Sequence, residues 1–133
     1  MTTAAILIVD DELTHREVLE DVLRPQGYIT VSVGNGKQAL SAVSDWTPDL
    51  ILLDITMPGM DGFEVASVLK ANPATAGIPI IMVTAHVGRG SRLVGLEAGA
   101  EDYLTKPVDA AELSLKVRNL LRLKASSAAA MAR

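Results

Sequence analysis

The sequence predicts an α/β protein built on a doubly wound parallel sheet. Two observations carry this. Five segments of strand length alternate with stretches of helical periodicity. Two of those segments, Ala4 to Val9 and Leu50 to Leu53, are apolar without a break, as strands buried on both faces are. Strands joined by helices must be parallel, and right-handed crossovers then cover both faces of one open sheet. At 133 residues the chain has the length of a single domain with a real core. With one Trp, two Tyr and one Phe, that core has to be aliphatic.

Each element has its own local reason. After the first strand, Leu13 to Arg24 carries Val18, Leu19, Val22 and Leu23 at helical spacing, and Pro25 and Gly27 stop it. Ile29 to Val33 alternates apolar and polar residues, which marks a half-exposed strand at a sheet edge. A helix is expected near Lys37 to Ser44, and the strand at 50–53 leads through turn formers into a helix from Asp61 to Lys70, with Phe63, Ala66 and Leu69 on one face. Pro79 opens the strand Ile80 to Val83, which ends at Thr84. Gly88 to Ala98 reads as a short or mobile helix weakened by its glycines. Asp102 to Thr105 is a short strand. The last helix opens at Asp109 with Glu112 three residues on, as in a capping box, and carries the stripe Leu113, Val117, Leu120 and Leu121. Residues 1–124 are expected to form the domain, and Ala125 to Arg133 a frayed extension or linker stub.

Charge and targeting signals narrow the function classes. A net charge of −4 and a pI near 5.1 speak against direct nucleic-acid binding, which needs a clustered positive surface. Lys116, Arg118, Arg122 and Lys124 read as a solvated helix face. No apolar run approaches the ~18 residues of a membrane span, and no signal peptide is evident, so a soluble, cytoplasmic protein with no membrane partner is expected. The absence of cysteine excludes disulfides and thiol chemistry.

In a parallel sheet the C-terminal strand ends lie along one rim, where open α/β folds place their chemistry. Asp10, Asp11, Asp54, Thr84 and Lys106 all fall there. Three crowded carboxylates repel one another unless a cation is present or their pKa values rise. Oxygen ligands without His or Cys favour a hard ion such as Mg²⁺. Lys106 adds a compact positive charge and Thr84 a hydroxyl, which together make a receptacle for a phosphoryl group. Asp54 is then the nucleophile, forming an acyl phosphate.

Each of these residues also has a duller reading. Asp10-Asp11 alone could be a helix cap, Thr84 a plain strand end, Tyr103 a core aromatic and Lys106 a solvated charge; it is their joint placement at strand ends that argues for a site. Met57 and Met60 read as packing, and His15 and His86 as solvent-facing. Gly34-Asn35-Gly36-Lys37-Gln38-Ala39 fits G-x-G-x-x-A, but the edge-like strand before it argues against a dinucleotide site. As a phosphate-binding loop it lacks the Ser/Thr after Lys37.

Asp10-Asp11, Asp54 with Met57-Pro58-Gly59-Met60-Asp61-Gly62, Val83-Thr84-Ala85 and Gly99 to Pro107 resemble the receiver domain of two-component response regulators, over about residues 4 to 124. The resemblance implies the flavodoxin-like strand order 2-1-3-4-5. It implies that Asp54 accepts phosphoryl from the phosphohistidine of a sensor histidine kinase or phosphotransfer protein, with acetyl phosphate as a small donor. Asp11, Asp54 and the backbone carbonyl of Thr56 would ligate Mg²⁺ directly, with Asp10 acting largely through water, while Lys106 and Thr84 bind phosphoryl oxygens. Tyr103 matches the aromatic that turns inward when the threonine moves, and the Lys106-Pro107 bond is expected cis. Output would be partner choice through the last two helices and the final strand, where dimerisation is also open. Three readings follow: a stand-alone switch, a receiver excised from a longer regulator with a covalent effector domain, and an aspartyl-phosphate phosphatase. The last is disfavoured because Thr56 stands where such hydrolases carry an acid/base aspartate. Thr56 and His86 also flank the path of an attacking water, which leaves the phosphoryl lifetime open.

Overall fold

In the computed structural model, residues 3–85 and 97–131 are described, with side chains through residue 126. Five strands form one parallel sheet: β1 (Ala5–Val9), β2 (Ile29–Val33), β3 (Leu50–Asp54), β4 (Ile80–Thr84) and β5 (Asp102–Thr105), in the order β2-β1-β3-β4-β5. The described helices are α1 (Leu13–Leu23), α2 (Gly36–Asp45), α3 (Gly62–Ala71) and α4 (Ala110–Met131). His86 and nearly all of the helix expected from Gly88 to Ala98 lie outside the described residues.

Strand position explains strand composition. All five residues of β3 are buried, because β1 pairs with it on one side and β4 on the other. On β2, Ile29 and Val31 remain exposed, as suits an edge paired only with β1. Two aliphatic layers sandwich the sheet. One joins Ile6, Ile8, Leu50 and Leu52 to Leu19 and Leu23 of α1 and to Leu113 and Val117 of α4, each helix presenting an i, i+4 pair. The other joins Leu7, Ile51, Leu53 and Met82 to Ala39 of α2 and to Val65, Ala66 and Leu69 of α3.

Three of the four described helix starts are capped by their own sequence. Asn35 Oδ1 accepts from the Gln38 amide at 2.8 Å, and Gln38 Oε1 accepts from the Gly34 amide at 2.8 Å. The glycine-rich stretch that imitates a cofactor fingerprint is therefore a reciprocal helix cap. Gly36 has a packing role as well, since a Cβ there would lie 2.8 Å from Val65 Cγ2. Asp61 caps α3 through the Glu64 amide, and Asp109 caps α4 through the Glu112 amide, both at 2.9 Å.

One expectation needs correction. Val18, placed in the apolar stripe of α1, is 50% exposed, because Leu19 and Leu23 set the helix rotation and turn it outward. Residues 125–131 are helical as the end of α4, which runs through Met131; Ala and Ser there carry no breaker, and alanine has the best helix propensity of all residues.

Candidate functional site

The acidic rim forms as the topology requires. β1 ends at Val9 and β3 at Asp54 in adjacent register, so Asp10, Asp11 and Asp54 converge, each with a carboxylate oxygen within 4.8 Å of the others. Asp10 and Asp54 are buried, whereas Asp11 faces solvent. A cleft of about 250 Å³ opens over them, lined by Asp11, Glu12, His15, Asp54, Thr56, Ala85 and Lys106.

Lys106 reaches into this rim from the end of β5. Its amide donates to the Thr84 carbonyl at 2.7 Å, and the Lys106-Pro107 peptide is cis. Its ammonium lies 3.1 Å from Asp10 Oδ2 and 3.5 Å from Asp54 Oδ1. Thr84 itself is wholly buried at the end of β4, and Ala85, the next residue, lines the cleft. Tyr103 is half-buried on the edge strand β5, packed against the core layer of α2 and α3, with its carbonyl accepting from Lys116 Nζ at 2.7 Å. Met57 belongs to that same layer and Met60 packs against it. Thr56 is exposed, and its amide reaches Asp54 Oδ1 at 3.4 Å.

The electrostatics of Asp54 follow from its surroundings. Its pKa is pushed up to about 6, first by burial and then by the Asp10 charge, with Asp11 adding to the rise; Lys106 and the Thr56 amide pull the other way. Asp10 Oδ1 accepts from the Glu12 amide at 2.9 Å, but its buried Oδ2 accepts no hydrogen bond among the described residues. The nearby ammonium compensates its charge without lying in hydrogen-bonding direction. A buried carboxylate oxygen in that condition, in an all-oxygen donor set, fits a hard divalent cation.

Two contributors were not found from sequence. His15, expected to face solvent, instead turns its Nδ1 to within 3.0 Å of Lys106 Nζ, with the side chain 38% exposed. The signal was its spacing: His15 stands four residues before the buried Leu19 and so shares the inward face of α1. Gly62 enters the sequence reading only as the last residue of the motif Met57 to Gly62. A Cβ there would fall 2.4 Å from the Asp54 carbonyl oxygen and 2.8 Å from Ile55 Cα, so only glycine lets the start of α3 press against the backbone of the acidic residue.

Among the described residues no helix is long and apolar enough to cross a membrane. The late basic residues are partly engaged: Lys116 pairs with Asp102 at 3.1 Å and Lys124 with Asp49 at 3.7 Å, while Arg118 and Arg122 face solvent.

Comparison with known proteins draws on the same residues. The chain is 46% identical over 122 residues to Response regulator PleD of Caulobacter vibrioides, covering 92% of this chain and 27% of that protein. It is 46% identical over 117 residues to the DNA-binding response regulator MtrA of Mycobacterium tuberculosis, covering 88% of this chain and 50% of that one. The chain thus spans about a quarter to a half of the length of these curated relatives. Among solved structures, a putative response regulator from Chloroflexus aurantiacus superposes with a TM-score of 0.88 at 38% identity, covering 91% of this chain and 99% of that one. Residues 6–118, which hold the whole acidic rim and its lysine, match the Response regulator receiver domain. With fold and sequence in agreement over most of its length, the chain belongs to the response regulator receiver domain family.

Proposed function

We propose that this chain is a phosphorylation-dependent switch in which Asp54 accepts a phosphoryl group from the phosphohistidine of a sensor kinase or phosphotransfer protein. A carboxylate oxygen of Asp54 attacks phosphorus, the phosphorus–nitrogen bond breaks, and the imidazole leaves. The observation that carries this reading is the placement of Asp54: buried, at the mouth of a cleft, beside two further carboxylates and one ammonium. A pKa near 6 leaves it largely ionised, and hence nucleophilic, at neutral pH.

Mg²⁺ is the cation that the donor set suits, held by Asp11, Asp54 and the Thr56 carbonyl, with Asp10 acting through water. When bound it would offset the negative charge on the transferring phosphoryl group. Lys106 then pairs with a phosphoryl oxygen, and Thr84 supplies a hydroxyl after moving out of its buried position. That movement vacates space for Tyr103 and biases the surface of the last two helices and β5, with Pro107 fixing the turn beside Lys106. The output is therefore a shift between two packings and a change of partner, with only slow self-dephosphorylation, not turnover of an outside substrate. Thr56, where a hydrolase would carry its acid/base aspartate, supports this over a phosphatase.

The receiver unit is proposed to cover residues 1–124. Because the chain spans only part of its curated relatives, a receiver module joined to a separate effector domain stands beside the free-standing form. In either form its place of action is the cytoplasm, and a dimer would use the last two helices and β5. The test is incubation with acetyl phosphate and Mg²⁺ followed by intact mass. The native chain is expected to gain one phosphoryl group and Asp54→Asn none; equal incorporation rejects Asp54 as acceptor. Lys106→Ala is expected to lose the phosphorylation-dependent change in partner binding, and an unchanged change in binding would reject that role.

A further inference from the structure

We infer that His15 is a positioning residue for phosphoryl transfer: in the unphosphorylated protein its Nδ1 accepts from the Lys106 ammonium and holds it back from a phosphoryl group on Asp54. The inference rests on the reading of Asp54 as acceptor.

Lys106 Nζ and His15 Nδ1 are 3.0 Å apart. The two carboxylates near the ammonium attract it without taking a hydrogen bond from it: Asp10 Oδ2 at 3.1 Å accepts none, and Asp54 Oδ1 stands at 3.5 Å. Among the described residues, the hydrogen bond of this ammonium therefore goes to the imidazole. An ammonium has no lone pair, so Nδ1 is the acceptor and the ring proton sits on Nε2, which faces Glu12 Oε2 at 3.7 Å.

The ring is held where it is by the fold. His15 lies on the face of α1 that buries Leu19 and Leu23, so the packing of those leucines fixes its direction. It also borders two spaces at once: the acidic cleft, and an adjacent cavity of about 190 Å³ that it shares with Leu19, Val83, Lys106 and Pro107. The imidazole and the lysine thus stand together on the partition between them. Phosphoryl oxygens on Asp54 are charged acceptors and bind an ammonium more strongly than a neutral ring nitrogen does. Drawing the ammonium closer to the stronger acceptor stretches its bond to His15, and that bond opposes the movement.

The experiment uses the full chain with His15→Leu, His15→Asn and Lys106→Met. His15→Leu removes the competing acceptor and is expected to incorporate phosphoryl from subsaturating acetyl phosphate and Mg²⁺ about 3–10-fold faster, the range of one neutral hydrogen bond. His15→Asn, whose amide oxygen can occupy the place of Nδ1, is expected to return the rate toward the native value. Equal acceleration in both variants, or none in His15→Leu while the native chain is phosphorylated, overturns the proposal and leaves the acceptor role of Asp54 intact. A second measurement needs no phosphorylation: the ¹⁵N resonance of His15 Nδ1 is expected to shift in Lys106→Met. An unmoved resonance overturns the proposal even if the native chain takes up no phosphoryl group, and even if His15→Leu does not fold.

Discussion

The two ends of the sheet carry the same kinds of charge and use them in opposite ways. At the N-terminal strand ends, Lys70 Nζ donates to the carbonyls of Ala76 and Ile78 at 3.0 and 2.8 Å and pairs with Glu101, whose other oxygen accepts from the Ile80 amide at 3.2 Å. Asp49 there accepts from the Ala5 amide at 2.8 Å. Each of these groups ties a helix end or strand start to a neighbouring segment. At the C-terminal ends, three carboxylates crowd one lysine, a buried oxygen of Asp10 accepts no hydrogen bond among the described residues, and Asp54 is pushed toward its neutral form. One end is satisfied by backbone, and the other keeps unmet polar capacity. Charge alone does not mark a functional site; a buried charge with an oxygen left unsatisfied does.

Substitutions can break this contrast, the largest effect coming from the acidic end. Gly62→Ala forces a Cβ onto the Asp54 carbonyl and is expected to cost roughly 3 kcal/mol in a denaturant titration and to impair phosphoryl uptake. If uptake stays native, the close approach does not position the acceptor.

Asp54→Asn is expected to stabilise the metal-free protein by up to about 3 kcal/mol above pH 6, which follows from the rise from 3.8 to about 6. The sign follows from proton counting. A carboxyl whose folded pKa is raised binds more protons folded than unfolded, so the native protein loses stability as pH climbs from about 4 to about 6. The advantage of Asn should therefore vanish below pH 4. An advantage constant with pH would trace the gain to something other than ionisation.

Lys70→Met samples the other end, and a loss of about 1–2 kcal/mol is expected from unpaired carbonyls and Glu101, with acetyl-phosphate incorporation within twofold of native. A large fall in incorporation would erase the distinction between the two ends.

Most of the architecture was legible because it is written in local patterns. The unbroken apolar run of β3 and the alternation of β2 already separate a central strand from an edge strand, and parallel connectivity alone brings Asp10, Asp54, Thr84 and Lys106 to one rim. What escaped depends on helix rotation and close approach. His15 and Val18 are separated by three positions on α1, and which of them turns inward is decided by how Leu19 and Leu23 seat on the sheet. Gly62 reads as any turn glycine until the Asp54 carbonyl is found beneath it. Likewise, nothing in the sequence tells that Thr84 begins fully buried.

The complete enclosure of β3 has a temporal consequence. Its amides and carbonyls are laced to strands on both sides, so its backbone cannot open without unfolding the sheet, and its slow hydrogen exchange should report global stability. An acyl phosphate on Asp54 would ride on an immobile mount. Its clock would be set by the loops overhead, through the solvent they admit, and retuning the memory of a signal would mean editing those loops while the strand beneath stays untouched.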